Sequence, residues 1–344
     1  MAGKVGIRDV ARVAGVSVST VSNALSEAHQ SRVNPETRQL VHEVAARLGY
    51  APNRLASGLR NQRSHLLGFV GDQIASTPFA GDTIRGAQDA AYERGWLVLV
   101  VDSGGNPVLE KRQASTLLQH QVDGIVYAKM YHQRVHVPPE IRGVSVVLLN
   151  AEDIDGRFPS VAPNEVAAAR TAIKELTDAG HRRIGFINTP DDDPAPIGRL
   201  QGYREGLAAA DIEFDPELVA FEPDGAHGRV GATKLLDMAD RPTAIFCYYD
   251  HQAFGVYETA ASHSLSIPRD LSVVSIDNFE VIAEGLGPGL TSVALPHYEM
   301  GRWAANRLLD EIADPDGAAP ACPAVLDCPI VRRGSVAPPG ISKP

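Results

Sequence analysis

The fold of the N-terminal region is decided by the stretch IRDVARVAGVSVSTVSNAL, which covers Ile7–Leu25. Apolar residues recur at helical spacing on both sides of Gly15, so the pattern predicts two short helices joined by a tight turn. Ser17 stands where the second helix begins, and its hydroxyl can accept a hydrogen bond from a first-turn amide. A third helix is predicted over Asn34–Leu48, with Gly49 at its end. Two helices this short need such a third helix to complete a core.

The exposed face of the second helix indicates what this small bundle binds. Two short helices around a glycine turn, supported by a third, form the arrangement of a helix-turn-helix DNA reader. Other three-helix bundles have the same apolar periodicity, but a merely solvated face more often carries Glu and Lys. Here the side chains are short and uncharged, which suits close approach to phosphates and base edges. The expected DNA contacts on this helix are Ser17, Val18, Ser19, Thr20, Ser22 and Asn23.

The charge of the chain is unevenly distributed. The 344 residues contain 32 Lys and Arg against 42 Asp and Glu, which gives a net charge of −10. Residues 1–65 contain nine basic and four acidic residues, so this part carries +5 and the remainder −15. A basic segment attached to an acidic body is typical of a polyanion-binding module joined to another domain.

Several classes of function find no support in the sequence. There is no Walker loop, GxSxG or HExxH motif, so neither catalysis nor a metal or cofactor is expected. Cys247, Cys322 and Cys328 form no CxxC pair and are predicted to be reduced and structural. The sequence has no signal peptide and no apolar run long enough to cross a membrane, so we expect a cytoplasmic protein without a membrane partner.

A basic linker, YAPNRLASGLRNQRSH at Tyr50–His65, follows the third predicted helix. It is compatible with about two helical turns, but isolated helices below roughly 12 residues rarely persist in water. Two interpretations remain open. The linker is either a flexible tether, or a segment that folds on DNA and inserts Leu59 between base pairs of the minor groove.

Residues 6–60 closely resemble the head of the LacI/GalR (lactose-repressor) family of bacterial transcription factors. Four motifs carry the resemblance in order: Ile7–Leu25, VNPETR at Val33–Arg38, LGYAPN at Leu48–Asn53 and NRLASGL at Asn53–Leu59. The resemblance implies that Ser17–Ser22 enter the major groove and that Asn53 contacts phosphate. It places Ala56 and Leu59 in the minor groove at the centre of a palindromic operator. Asn23 stands where many members carry Arg. The DNA contacts expected outside the second helix are Asn34, Thr37, Asn53, Arg54, Ala56 and Leu59.

Beyond residue 65, short apolar runs alternate with amphipathic helical segments. This pattern predicts parallel sheets with helices on both faces, arranged as two doubly wound lobes. The resemblance continues here and implies the fold of periplasmic binding proteins, with a ligand between the lobes. The full prediction is an all-α helix-turn-helix head with an α/β body. Its expected bounds are 1–51 for the head, 52–63 for the hinge helix or linker, 64–161 plus 295–323 for lobe one, 162–291 plus 324–338 for lobe two, and 339–344 for a disordered tail.

Polar groups that follow the predicted strands are candidates for the ligand site, because such folds bind ligands at the carboxyl ends of their strands. Asp250 can equally cap a helix, and His181, at a helix end, is expected to be structural. The resemblance assigns Arg199 and Asp277 to positions that hold effector hydroxyls. The expected effector-binding residues are Asp72, Phe79, Asn150, Arg199, Tyr249 and Asp277.

These observations predict a dimeric transcriptional repressor whose affinity for a palindromic double-stranded operator is controlled by a small ligand, expected to be a carbohydrate. A dimer is the default, because the C-terminal tail lacks leucine heptads. The alternative is a solute-binding or sugar-processing protein with a helical head that does not bind DNA. The missing signal peptide and the missing catalytic motifs argue against this alternative.

Overall fold

The computed structural model describes residues 5–25, 32–50, 63–73, 77, 80–222, 227–315 and 323–340. The chain divides into two compact units, residues 1–64 and 65–344, which we call the head and the body. The division falls one residue from the predicted end of the linker. The predicted linker contacts Asn53, Arg54, Ala56 and Leu59 lie outside the described residues, as does Phe79.

The head contains the three predicted helices, and local signals explain where each begins or ends. Gly15 ends the first helix in the left-handed conformation, with φ +68°. Ser17 Oγ accepts a hydrogen bond from Thr20 N at 3.0 Å at the start of the second. Asn34 Oδ1 accepts from Glu36 N at 2.9 Å at the start of the third. The helices are α1 (Ile7–Ala14), α2 (Val18–Ala24) and α3 (Pro35–Leu48).

The head core consists of small aliphatic side chains from all three helices. Each helix contributes apolar residues at helical spacing, so the three-helix prediction is confirmed. The buried members of this core are Val10, Ala11, Ala14, Val21, Ala24, Val41, Val44 and Ala45.

The body contains two six-stranded sheets, each with helices on both faces. Lobe one is the sheet in the order β11-β5-β4-β3-β1-β2, which is parallel throughout. Its strands are β1 (Leu66–Gly71), β2 (Leu97–Asp102), β3 (Gly124–Val135), β4 (Ser145–Asp153), β5 (Ser160–Pro163) and β11 (Ala324–Leu326). Its helices are α4 (Ala80–Glu93), α5 (Pro107–Gln119) and α11 (His297–Ala313), with a 3₁₀ turn at Pro139–Ile141.

Lobe two is the sheet in the order β12-β10-β9-β8-β6-β7, in which only β12 is antiparallel to its neighbour among the described pairs. Its strands are β6 (Ile184–Asn188), β7 (Val219–Phe221), β8 (Ala244–Cys247), β9 (Ser272–Asp277), β10 (Thr291–Ala294) and β12 (Ile330–Val331). Its helices are α6 (Glu165–Asp178), α7 (Pro194–Ala209), α8 (Arg229–Leu236), α9 (Asp250–Ser262) and α10 (Glu280–Ala283), with a 3₁₀ turn at Pro216–Leu218.

Alternation along the strands explains the two helical layers of each lobe. In lobe one, Leu67 and Phe69 of β1 belong to the core under α4 and α11, whereas Val70 belongs to the core under α5. In lobe two, Phe186 and Ile187 of β6 likewise belong to different cores. Successive side chains of a strand point to opposite faces, so a continuous apolar run fills both layers.

The described chain between His65 and Gly340 passes from one sheet to the other three times, and the predicted lobe bounds need correction there. Residues 324–326, predicted to belong to lobe two, form β11, which pairs in parallel with β5 of lobe one. Strand β5 itself continues to Pro163, past the predicted boundary at 161. The described chain also extends to Gly340, two residues into the predicted disordered tail. The composition of a short edge strand next to a crossover suits either sheet. Which sheet it joins is therefore set by the strand that it pairs with, which the local sequence does not show.

Two helix pairs pack unusually closely because glycines stand at the contact. A Cβ atom on Gly202 of α7 would lie 2.2 Å from the carbonyl oxygen of Val166 in α6. A Cβ atom on Gly301 of α11 would lie 2.0 Å from the carbonyl oxygen of Thr83 in α4. These distances are far below van der Waals contact, so the helix backbones meet at these glycines.

Candidate functional site

The surface of α2 carries the predicted DNA contacts of the head. Ser17 lies at the N-terminus of this helix, and its Oγ is 2.8 Å from both Ser19 Oγ and Thr20 Oγ1. Val18, the first residue of α2, is apolar yet 42% exposed. An exposed valine among hydroxyl groups suits a surface that contacts both phosphates and the thymine methyl group. The exposed residues are Ser17, Val18, Ser19 and Asn34, and the half-buried ones are Thr20, Ser22, Asn23 and Thr37.

Lobe one contains a pocket beside the carboxyl end of β1 and the middle of β3 and β4, where the pairing of β3 with β4 breaks its register. Its empty volume, which includes open solvent, is about 350 Å³. Two predicted residues, Asp72 and Asn150, contribute to its walls. The lining residues are Phe69, Asp72, Thr77, Ala80, Thr83, Ala128, Lys129, Met130, Leu149, Asn150 and His297.

A charge network lies at the pocket wall, to which it contributes Asp72 and Lys129. Lys129 Nζ lies 3.2 Å from Asp72 Oδ2 and 2.9 Å from Glu110 Oε2. The hydroxyl of Tyr127 donates to the other oxygen of Glu110 at 2.7 Å. Burial lowers the pKa of Lys129, but the charge of Asp72 and the hydrogen bond to Glu110 raise it, and the net shift is upward. The lysine therefore stays charged between two carboxylates.

Asn150 presents a free acceptor to the pocket. Its Nδ2 donates to the carbonyl oxygen of Met130 at 3.1 Å, which fixes the amide. Its buried Oδ1 has no hydrogen-bond partner among the described residues. The backbone of Asn150 has φ +56°, a left-handed conformation that Asn tolerates better than most residues. A buried acceptor without a partner is costly, so a ligand hydroxyl that donates to it would be stabilised.

Arg199 of α7 lies at the centre of the second cluster, in lobe two. It is only 3% exposed, and its Nε donates to Glu165 Oε2 at 2.7 Å. Its Nη1 donates to the carbonyl oxygen of Tyr248, and its guanidinium lies 4.2 Å from the centre of the Tyr248 ring. Burial lowers the pKa of Arg199, but the charge of Glu165 raises it further, so the arginine remains charged. The side chain is thus locked between α6 and the end of β8.

Asp277 ends strand β9 near this arginine. Its φ of +116° is unusual for a residue other than glycine. Burial raises the pKa of Asp277 well above its ordinary value, the charge of Arg199 lowers it, and the charges of Asp250 and Glu165 raise it. Arg199 thus has two carboxylates around it, one at hydrogen-bond distance and one that acts through its charge.

Two observations place the lobe-two cluster beside the lobe-one pocket. Helix α7, which carries Arg199, packs against strand β3, which carries Lys129. His297 lines the pocket, and burial together with the charge of Arg199 lowers its pKa to about 4. The imidazole is therefore neutral at pH 7. The described contacts between the lobes thus include the helix that carries Arg199 and the strand that carries Lys129.

The remaining candidates do not line the pocket of lobe one. Tyr249 precedes the first residue of α9, is half-buried, and packs its ring edge-on to Tyr248 with centroids 5.6 Å apart. Asp250 is fully buried and accepts hydrogen bonds from Ser292 Oγ at 2.7 Å and Phe279 N at 2.6 Å, so it neither caps α9 nor lines the pocket. His181 bonds to Thr243 Oγ1 and to the carbonyl oxygen of Ala337, both at 2.9 Å, which confirms its structural role.

Sequence reasoning missed four charged or titratable residues of the site. Lys129 could have been found, because it directly follows the apolar run at Gly124–Ala128, as Asp72 follows β1. His297 comes three residues after the end of β10, as the first residue of α11. Glu110 and Glu165 lie in the first turns of α5 and α6, where acidic residues are common for helix-dipole reasons alone. No local signal separates these two from other helix starts.

Neither a metal centre nor a membrane span is found in the described part of the chain. No group of three or more His, Cys, Asp or Glu residues there could hold a metal ion. No helix in the same ranges is long and apolar enough to cross a membrane. Cys247 and Cys328 are both buried free thiols.

Comparison with known proteins covers both parts of the chain. Residues 6–53 match the model of bacterial regulatory proteins, lacI family, and residues 173–336 match that of a periplasmic binding protein-like domain. The HTH-type transcriptional repressor CytR of Escherichia coli K12 is 32% identical over 342 residues, 96% of this chain and 95% of CytR. The ribose operon repressor of Haemophilus influenzae is 30% identical, over 90% of this chain and 92% of that repressor. A solved complex of the transcriptional regulator CelR with cellobiose is 28% identical over 96% of this chain and 100% of CelR, with a TM-score of 0.68.

The chain belongs to the LacI family of bacterial regulatory proteins. The resemblance found in the sequence is therefore confirmed. The expected fold class is confirmed too, with a helix-turn-helix head and two doubly wound lobes of the periplasmic-binding-protein type.

Proposed function

We propose that this protein is a dimeric transcriptional repressor whose affinity for a palindromic operator is set by a small hydroxylated ligand bound between its lobes. The observation that carries the proposal is the pairing of a helix-turn-helix head with a two-lobed body that holds a pocket in lobe one, near the packing of α7 on β3. The relatives named above are repressors rather than enzymes, which favours regulation over catalysis. We further propose that it acts in the cytoplasm, where its operator would lie.

The exposed face of α2 supports the DNA-binding part of this function. The N-terminal residues of a recognition helix contact base edges, and Val18 is the first residue of α2. Asn34 Oδ1 is already engaged by Glu36 N, so we propose that Asn34 and Thr37 contact the phosphate backbone. For Asn53, Arg54, Ala56 and Leu59 the proposal rests on the family motif alone.

A test of this surface compares two exposed valines of the head. We expect Val18→Ser to change the preferred base at one position of each half-site, because the apolar contact with a thymine methyl is lost. A lost base contact of this kind costs about 1–3 kcal/mol. Val13→Ser is the matched control, since Val13 is 44% exposed but lies on α1. Selection of random duplexes by each variant measures the effect. An unchanged preference in Val18→Ser, or an equal change in both variants, would remove Val18 from the reading surface.

The pocket supports the ligand-binding part of this function. Asn150 offers a buried acceptor, and Ala80 and Thr83 bring the first turn of α4 to the wall, where amides favour an oxygen ligand. Arg199 and Asp277 of lobe two lie at the same junction. The named structure of CelR contains cellobiose, and one relative is named for a ribose operon. We therefore propose a carbohydrate or a similar polyol as the effector.

The class that competes with this proposal is a solute-binding or sugar-processing protein whose head does not bind DNA. Its first prediction is that the full chain binds sugar but shows no preference among DNA duplexes. Electrophoretic mobility shift of a selected palindrome against a scrambled duplex of equal composition separates the two. We expect a discrete shift with the palindrome only, and equal weak binding of both duplexes would favour the competing class.

A further inference from the structure

The cations beside the pocket are already neutralised by carboxylates of the protein. Lys129 is held between Asp72 and Glu110, at 3.2 Å and 2.9 Å. Arg199 is held by Glu165 at 2.7 Å and also feels the charge of Asp277. Arg199 is thus matched by the buried carboxylate of Glu165, and Lys129 by two half-buried carboxylates.

His297, the third basic side chain near the pocket, does not change the balance between cations and carboxylates. His297 is buried and next to the charge of Arg199, so it is neutral at pH 7. Even if Asp277 binds a proton, Glu165 alone balances Arg199. Among the described charged groups that line or adjoin the pocket, carboxylates therefore equal or outnumber cations.

We propose that this pocket selects neutral or cationic polyhydroxylated ligands and rejects anionic ones such as sugar phosphates and sugar acids. An added phosphate or carboxylate would lie near Asp72 and Glu110 without an available counter-charge, and its desolvation would not be repaid. Hydroxyl groups avoid that cost, because they can donate to carboxylate oxygens and to Asn150 Oδ1. This inference rests on the proposed function for the location of the ligand, but its electrostatic basis is independent of DNA binding.

The two carboxylates around Lys129 are specificity-determining residues in this account. Glu110 is the more informative of the two for testing the role of charge. It forms hydrogen bonds with Lys129 and Tyr127 but does not itself line the pocket. Its role is to hold the lysine away from a ligand and to cancel its charge. Removing both carboxylates should turn Lys129 into a free cation in a buried wall, which is a good site for a phosphate group.

Inorganic phosphate is the probe for the test, added to the full-length chain and compared with sodium chloride at equal ionic strength. Apparent phosphate affinity is obtained from the dependence of Tm on phosphate concentration. In the unmodified chain we expect no phosphate effect that depends on Lys129 or Arg199. In Asp72→Asn/Glu110→Gln we expect phosphate to bind at least about tenfold more tightly, the equivalent of one charge-assisted hydrogen bond. Adding Lys129→Met should abolish this gain.

The comparison is made within each variant, so a general loss of stability does not obscure the result. Glu205→Gln is the matched control, because Glu205 lies 3.7 Å from the exposed Arg170 on the surface of lobe two. It should leave the phosphate response unchanged. A phosphate response of the unmodified chain that Lys129→Met or Arg199→Met removes would overturn the proposal. So would the absence of any gain in Asp72→Asn/Glu110→Gln. Neither result bears on operator binding, so failure here is distinct from failure of the proposed function.

Discussion

Replacing Arg199 with alanine is expected to abolish the effect of ligand on operator affinity and to lower the free energy of unfolding by about 3–5 kcal/mol. The stability loss follows because Glu165, itself 5% exposed, would keep a buried charge without its partner at 2.7 Å. The loss of response follows because a rigid donor of lobe two would be missing from the junction with the pocket. Chemical denaturation and operator titration with and without ligand measure the two effects.

A double variant separates the structural role of Arg199 from its role toward the ligand. In Glu165→Gln/Arg199→Met both charges are absent. The free energy of unfolding should therefore recover most of what Arg199→Ala loses, as is often found when a whole buried ion pair is replaced. The ligand response should remain absent. Arg170→Ala is the control, because Arg170 is an exposed side chain of α6, and it should change stability by less than about 0.5 kcal/mol. If the double variant regains both stability and ligand response, Arg199 is a structural residue and the ligand site has been misplaced.

Replacing Gly202 with valine is expected to destabilise the body by about 3 kcal/mol or more, because α6 and α7 can no longer pack at their present distance. The new Cβ would lie 2.2 Å from Val166 O and 2.8 Å from Ala169 Cβ, and neither atom belongs to a side chain that can rotate away. Separation of these helices would also pull Arg199 of α7 away from Glu165 of α6. Ligand response should therefore weaken together with Tm.

Gly81→Ala provides the control for this effect. Gly81 lies in α4, and a Cβ atom there meets nothing within 4 Å. Alanine should be neutral or stabilise by up to about 1 kcal/mol through helix propensity. Equal Tm values for Gly202→Val and the parent would mean that the helix contact is not as close as described. If Gly81→Ala lowers Tm as much as Gly202→Val does, the effect of Gly202→Val could no longer be attributed to the packing of α6 on α7.

Local sequence signals were sufficient to predict the helices of the head and most of the helices and strands of the body. The turn at Gly15, the cap at Ser17 and the apolar period predicted the head helices, because each signal acts within a few residues. The continuous apolar runs predicted the central strands and their two helical layers. The apolar run Gly124–Ala128 is only the first part of β3, which continues to Val135 with a break in register between Ala128 and Gln133. Pairing with β4 continues beyond that break. The sequence of one segment does not show which strand it pairs with, so this extension could not be predicted.

Part of the pocket wall could be predicted from the sequence, but its charge pairing could not. The strand-end rule found Asp72 and Asn150, which line the pocket, and Asp277, which lies beside it. It did not find that Arg199 is tied to Glu165, since the two residues are 34 apart in sequence and meet only through the packing of α6 on α7. The same holds for Glu110 and Lys129, which are 19 apart. Pairing of charges that are distant in sequence depends on the tertiary structure. The sequence alone therefore could not tell whether Arg199 binds hydroxyl groups or an acidic group of a ligand.

The central claim is that a ligand in the body controls the affinity of the head for its operator. The most direct measurement is fluorescence anisotropy of a selected palindromic duplex titrated with the full-length chain, with and without a hydroxylated ligand whose binding to the body has been established by thermal shift. We predict that the ligand changes operator affinity by about 5- to 150-fold, which corresponds to a coupling free energy of about 1–3 kcal/mol. Superimposable isotherms in the presence of a saturating, demonstrably bound ligand would contradict the account.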